Sequence, residues 1–192
     1  MSKAKPADNR GYPSPKIEAI APFPDAALSL LWQWIEAARS QVADDSSPQT
    51  PDEFIALERA RAEDVCTFAI YRDHELGGYV RVVPLTAWSC EAHCVFKREF
   101  YGYQTTLPAL DEVARQVFEA GVTRITMLVY QTNTAIRALL KRLGAFEEGR
   151  MRECARQNGQ PVDMLVYGLL KQEWETAFAV RNNQPAPKLD ES

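Results

Sequence analysis

The stretch Cys90–Phe118, CEAHCVFKREFYGYQTTLPALDEVARQVF, decides how this chain folds. It begins inside an alternating run, Ala87 to Lys97. Trp88, Cys90, Ala92, Cys94 and Phe96 fall on one face, and Ser89, Glu91, His93, Val95 and Lys97 on the other. That alternation predicts a half-buried antiparallel strand. A short turn with a single glycine, Gly102, follows. Leu107, Leu110, Val113, Val117 and Phe118 then recur at helical spacing, and Gly121 stands where a helix C′ residue belongs. A strand feeding a helix through a glycine turn leaves backbone N–H groups unpaired at the helix start, and such groups suit a phosphate.

Downstream, Arg124 to Tyr130 is apolar on both faces and predicts a central strand. Asn133 or Thr132 caps a helix with the stripe Ile136, Leu139, Leu140 and Leu143. Lys141 and Arg142 stand in its last turn, and Gly144 ends it. Strands over 146–155 and 161–170 follow, joined by Asn158-Gly159, a strong hairpin signal. A short helix over 172–180 comes last.

Upstream, Lys16 to Ala21 reads as a short strand stopped by Pro22 and Pro24. Asp25 is placed to cap a helix running to about Arg39, with Leu28, Leu31, Trp32 and Ile35 as its stripe. Residues 44–50 are loop, and Thr50, Pro51 and Glu53 open a second helix over 51–62. Strands over 65–72 and 78–84 pair as a hairpin. The predicted order is β-α-α-β-β-β-α-β-α-β-β, an α/β domain over 16–180 built on one mixed, mostly antiparallel twisted sheet flanked by helices. Residues 1–15 read as a flexible arm and 181–192 as a flexible tail.

Composition sets the outer bounds. The chain has 192 residues, 46% hydrophobic and 25% charged, which fits one globular, soluble domain. A net charge of −4 argues against direct nucleic-acid binding by bulk electrostatics. No apolar run is long enough for a membrane span, and the first ten residues hold no signal-peptide core. The four cysteines make no disulfide framework, so buried thiols in a reducing cytoplasm are expected. Cys90-Glu91-Ala92-His93-Cys94 invites a metal reading, but alternation turns His93 away from both cysteines.

Together these residues resemble the GNAT superfamily of acyl-CoA N-acyltransferases. Arg98-Glu99-Phe100-Tyr101-Gly102 is similar to the lead into the cofactor turn of its Rim-type, ribosomal-protein acetyltransferase branch. Asn133, the run Leu143-Gly144-Ala145-Phe146-Glu147-Glu148-Gly149, the hairpin residues Arg152, Asn158-Gly159, Asp163 and Tyr167, and the ending Glu173-Trp174 also resemble that branch.

The resemblance implies acetyl-CoA lodged between splayed strands at 88–97 and 124–130. It places the pantetheine along Val95 and near Asn133, and the phosphates at Lys97, Arg98, Gly102, Tyr103, Gln104, Thr105, Thr106 and Arg137. It implies direct transfer to a primary amine, on a protein N-terminus or a small molecule. Glu91 and His93, two apart on one strand face, are the candidate bases. Tyr130 and Tyr101 are the candidate proton donors, because the family's usual donor positions fall on Leu140 and Ile136.

Several positions depart from the family pattern. Gln104 stands where a small residue is usual, Glu99 adds negative charge, and Pro108 removes one N–H. Asp111 and Glu112 are placed to complement the dipole that a phosphate would use. A second reading therefore stays open: a GNAT-fold binding or structural protein without catalysis. Such a protein could be a phage virion or accessory component, held in an assembly by its extended termini.

Overall fold

The computed structural model describes residues 15–19 and 23–183. The expected arm, except Pro15, and the tail from 184 onward lie outside the described residues. In chain order the elements are β1 (Lys16–Ala19), α1 (Asp25–Ala37), α2 (Arg39–Val42), α3 (Pro51–Arg61), β2 (Cys66–Arg72), β3 (Glu75–Pro84) and β4 (Ser89–Phe96). A single 3₁₀ turn, Arg98–Phe100, leads to α4 (Thr106–Glu119), β5 (Arg124–Tyr130), α5 (Thr134–Leu143), β6 (Phe146–Gln157), β7 (Gln160–Leu170) and α6 (Lys171–Asn183). The strands form one seven-stranded sheet in the order β1-β2-β3-β4-β5-β7-β6. Every neighbouring pair is antiparallel except β4–β5, whose parallel pairing needs the crossover that α4 provides.

Both faces of the strand at 89–96 are covered. Cys90 and Phe96 join the main core, where Leu107, Leu110 and Val113 of α4 meet Ile125, Met127 and Tyr167. Val95 joins a second cluster, with Leu28, Leu31 and Trp32 of α1 and Phe54 of α3. The face bearing Glu91 and His93 is therefore roofed by two helices.

Local chemistry explains several boundaries and corrects others. Pro24, not Asp25, occupies the N-cap of α1; Asp25 is the first helical residue and pairs with Arg59 at 2.5 Å. Ala38 breaks the helix early, so Arg39–Val42 forms a separate short turn. The β2–β3 turn shrinks to Asp73-His74, both left-handed (φ 52° and 67°), which lets β3 begin at Glu75. Asn158 and Gly159 have φ of 52° and 73°, as a tight hairpin turn requires. Cys66 and Cys154 are exposed, against the expectation of buried thiols; Cys90 is buried.

The expected tail begins too early. Residues 181–183 belong to α6, because Arg181 donates to the Arg142 carbonyl and to Asp111.

Gly77 of β3 has a packing reason. The ring of Phe100 lies on it, and a Cβ there would come within 1.7 Å of that ring. Phe100 is buried and has the Arg72 guanidinium stacked 4.3 Å from its ring centroid, which holds the ring in place. Gly77→Ala is expected to cost at least about 1–3 kcal/mol in a urea-unfolding measurement. It should also shift the turn that Phe100 anchors.

Candidate active site

β4 and β5 part company early. Their register holds for three pairs, Ser89↔Arg124, Cys90↔Ile125 and Glu91↔Thr126, and then stops. On its other side β4 stays paired with β3 through Phe96, and β5 stays paired with β7 through Tyr130. The sheet thus opens beyond Glu91. A cavity of about 470 Å³ occupies the opening, lined by Leu110 and Val113 from α4 and by Trp32 and Phe54 from the opposite face. That volume suits a small-molecule site.

Five of the residues named from sequence line this cavity: Glu91, His93, Val95, Tyr130 and Asn133. Glu91 Oε1 and His93 Nε2 lie 3.0 Å apart. Burial raises the Glu91 carboxyl above its ordinary value, with Arg81 pulling the other way. Burial and the guanidiniums of Arg81 and Arg61 push His93 down to about 4. At neutral pH the imidazole is uncharged, so the contact is not an ion pair.

The native protein refuses a proton that the unfolded histidine accepts. Stability should therefore fall as the pH drops from about 6.5 to about 4, with the loss complete below that. Glu91, with its raised value, acts in the opposite direction. His93→Gln should remove the histidine's share, read as a flatter dependence of the urea midpoint on pH.

Tyr130 ends β5 across the opening. Burial and the neighbouring Asp44 raise its phenol, so it stays protonated well above neutral pH. Asp44 is itself fixed: its Oδ1 accepts from the backbone N–H and hydroxyl of both Ser46 and Ser47. Asn133 is committed at both ends of its amide. Its Oδ1 accepts from the Ile136 N–H at 3.2 Å, capping α5, and its Nδ2 donates to the Gln41 carbonyl at 3.2 Å. It positions the cavity wall by tying α5 to α2.

The phosphate-turn candidates lie outside the cavity lining. Gly102, Tyr103 and Gln104 are exposed, and Gly102 has φ of 134°, a conformation that favours glycine. Thr106 is buried and donates to the Phe100 carbonyl, while Thr105 accepts from Arg72. Lys97 pairs with Glu75 at 2.5 Å and lies 4.0 Å from Glu99. Arg142 stacks on Tyr103 at 3.7 Å. Arg98 is exposed, and Arg137 turns to the Gln131 carbonyl and Glu147. Tyr101 packs near Phe96, away from the cavity.

The start of α4 fits an anion. It has no side-chain cap and no acidic residue in its first turn. Among the described residues, the N–H groups of Tyr103, Gln104 and Leu107 find no acceptor, whereas those of Thr105 and Thr106 donate to the Gly102 carbonyl. Asp111 does not complement this helix start, as its sequence position implied. It faces α6, and Glu112 pairs with Arg115. Free amides at a helix N-terminus, beside a strand edge left open beyond Glu91, suit the phosphates and the amide-bearing arm of a coenzyme A thioester.

Sequence reasoning did not single out Arg81, Glu58 and Asp44, which also line the cavity. Arg81 had a signal: it is the one charge inside the apolar run GYVRVVP.

Residues 19–145 match the family described as Acetyltransferase (GNAT) domain. The chain belongs to the GNAT acetyltransferase family. It is 33% identical over 79 residues to the candidate ribosomal N-acetyltransferase YdaF of Bacillus subtilis (strain 168), a match spanning 41% of this chain and 43% of that relative. Its fold is similar to that of a ribosomal-protein-alanine N-acetyltransferase from Brucella melitensis, with a TM-score of 0.67, 17% identity, and coverage of 81% of this chain and 99% of that one. It is also similar to Mycobacterium smegmatis RimJ in complex with CoA-disulfide, with a TM-score of 0.69, 17% identity, and coverage of 88% and 90%. At these identities the structural likeness speaks for the shared GNAT fold. Among the described residues, no helix of this GNAT chain is long and apolar enough to cross a membrane, and no cluster of His, Cys, Asp or Glu could hold a metal ion.

Proposed function

We propose that this GNAT chain transfers the acetyl group of acetyl-CoA directly to a primary amine, on a protein N-terminus or a small molecule. The observation that carries the reading is the parting of β4 from β5 over a cavity into which Glu91, His93 and Tyr130 converge. The free amides at the start of α4 support a phosphate-bearing donor. The names of the relatives support a protein N-terminus as one acceptor.

Each residue has a role that its chemistry allows. An amine attacks only after losing its proton, and a base works best with a pKa near the working pH. Burial lifts Glu91 toward that range, while His93 has moved away from it. Glu91 therefore takes the amine proton, directly or through a water, and His93 orients its carboxylate. Tyr130 keeps its proton at neutral pH and gives it to the departing thiolate. The proton removed and the proton supplied balance across one turnover.

Titration calorimetry with acetyl-CoA tests the donor site. Micromolar binding that Gly102→Glu weakens by about tenfold or more is the expected result, since that change adds a charge and a side chain at φ 134°. Absence of binding at millimolar acetyl-CoA would end the enzyme reading. It would leave a GNAT-fold binding protein, a reading that the neutralisation of Lys97 by Glu75 favours.

A further inference from the structure

The α3 side of the cavity holds a charge cluster for which the proton transfers have no use. Arg81 of β3 is 11% exposed and pairs through Nη1 with Glu58 of α3, which is equally buried. Among the described residues this is its single hydrogen bond, and its Nε is buried with no acceptor. Arg61, three residues after Glu58 on α3, brings a second guanidinium to the same wall.

The other groups on this wall leave those donors unclaimed. From β4, His93 stands opposite Arg81 in the register and is uncharged at neutral pH. Glu91, opposite Val83, contacts His93 at 3.0 Å and, among the described residues, forms no ion pair with either guanidinium. Tyr79 is held protonated by burial. Asp44 stands by Tyr130. Arg81 thus keeps N–H donors that Glu58 does not take, in a wall that also holds Trp32, Phe54 and Val95. A recessed guanidinium with unspent N–H donors, backed by a second at the rim, matches a carboxylate.

We infer that the Arg81–Arg61 wall of the cavity is an anion subsite that receives a carboxylate borne by the acceptor, close to its amine. The acceptor class is then an amino acid, or another small amine with an acid group. Register supports the spacing: a carboxylate at Arg81 lies opposite His93, and Glu91, the base, is two residues along the same strand and 3.0 Å from that imidazole. The word acceptor rests on the transferase reading above; the anion subsite itself does not.

The test reads His93 directly. The chain has two histidines, so His74→Gln assigns the ring-proton resonances of His93. NMR pH titrations are run on the full chain alone, with L-alanine, and with L-alaninamide. Alanine is expected to raise the His93 pKa by about one unit, because its carboxylate at Arg81 stands opposite the imidazole while the Glu91 carboxylate offsets its ammonium. Alaninamide should leave it unchanged. Arg61→Gln, an exposed helix position, should reduce the alanine shift by about half. Arg81→Lys keeps the charge but loses the fork, and should weaken alanine saturation by about tenfold.

Equal shifts with alanine and alaninamide, or no shift with saturating alanine, overturn the subsite. A shift with alanine in a protein that binds no acetyl-CoA leaves the subsite standing and removes the transferase reading alone.

Discussion

Glu91→Gln lowers the rate of acetyl transfer by about 10²–10⁴-fold and leaves acetyl-CoA binding by calorimetry unchanged. The amide has the shape of the carboxylate and keeps the contact to His93, but it cannot take a proton. The variant should therefore recover as the pH rises and the substrate supplies its own free amine. Wild-type activity should fall on the acid side with an apparent pKa above that of an ordinary carboxylate, because burial raises Glu91. A limb near 4, together with an unimpaired Glu91→Gln, would transfer the role of base to His93. The assignment turns on two strand neighbours whose proton affinities move in opposite directions. The same roof of α1 and α3 half-buries both, and burial favours the neutral form of each: the acid for Glu91, the free base for His93.

Asp111→Ala destabilises the fold by about 3–5 kcal/mol, a large share of the stability of any single domain. Asp111 is buried in α4 and holds two donors from α6: the Trp174 indole N–H at 2.9 Å and Arg181 Nη2 at 2.5 Å. Trp174 in turn packs on Phe118 at 5.6 Å and on Phe178 at 5.5 Å. Removing the carboxylate takes from a mostly buried guanidinium and an indole N–H the acceptor they share, which is why the loss exceeds that of a surface pair. For a chain of this size the melting temperature should drop by roughly 6–20 °C. Asp111→Asn keeps an acceptor for Trp174 and should lose less. A melting temperature unmoved by Asp111→Ala would show that the docking of α6 does not depend on this carboxylate.

Much of this fold is legible in local sequence. Strand alternation from Trp88 to Lys97, the helical stripe from Leu107 to Phe118, the Asn133 cap, the Gly144 terminator and the Asn158-Gly159 turn all arise from interactions within a few residues. The structure follows them closely. Some departures are themselves local, as at Pro24 and at Asp73-His74, but at the C-terminus a distant contact is responsible. Residues 181–183 looked like tail because nothing near them in sequence calls for helix; Asp111, seventy positions away, does. Asp111 looked like a partner for its own helix dipole, until α6 claimed it.

The candidate site divides in the same way. Glu91, His93 and Gly102 could be named from the strand, the turn and the family they resemble. Arg81, Glu58 and Asp44 could not, because they come from a different strand, a helix and a loop, and share no spacing with Glu91.

By itself the sequence determined the elements, their order and the family, since periodicity, caps and turn residues act over short range. The tertiary structure alone decided that β4 separates from β5 after Glu91, and that two helices roof the face bearing Glu91 and His93. It also decided that burial, aided by two arginines, holds His93 uncharged. Proton affinity depends on burial and on charges brought together from distant parts of the chain, and only the folded sheet brings them together.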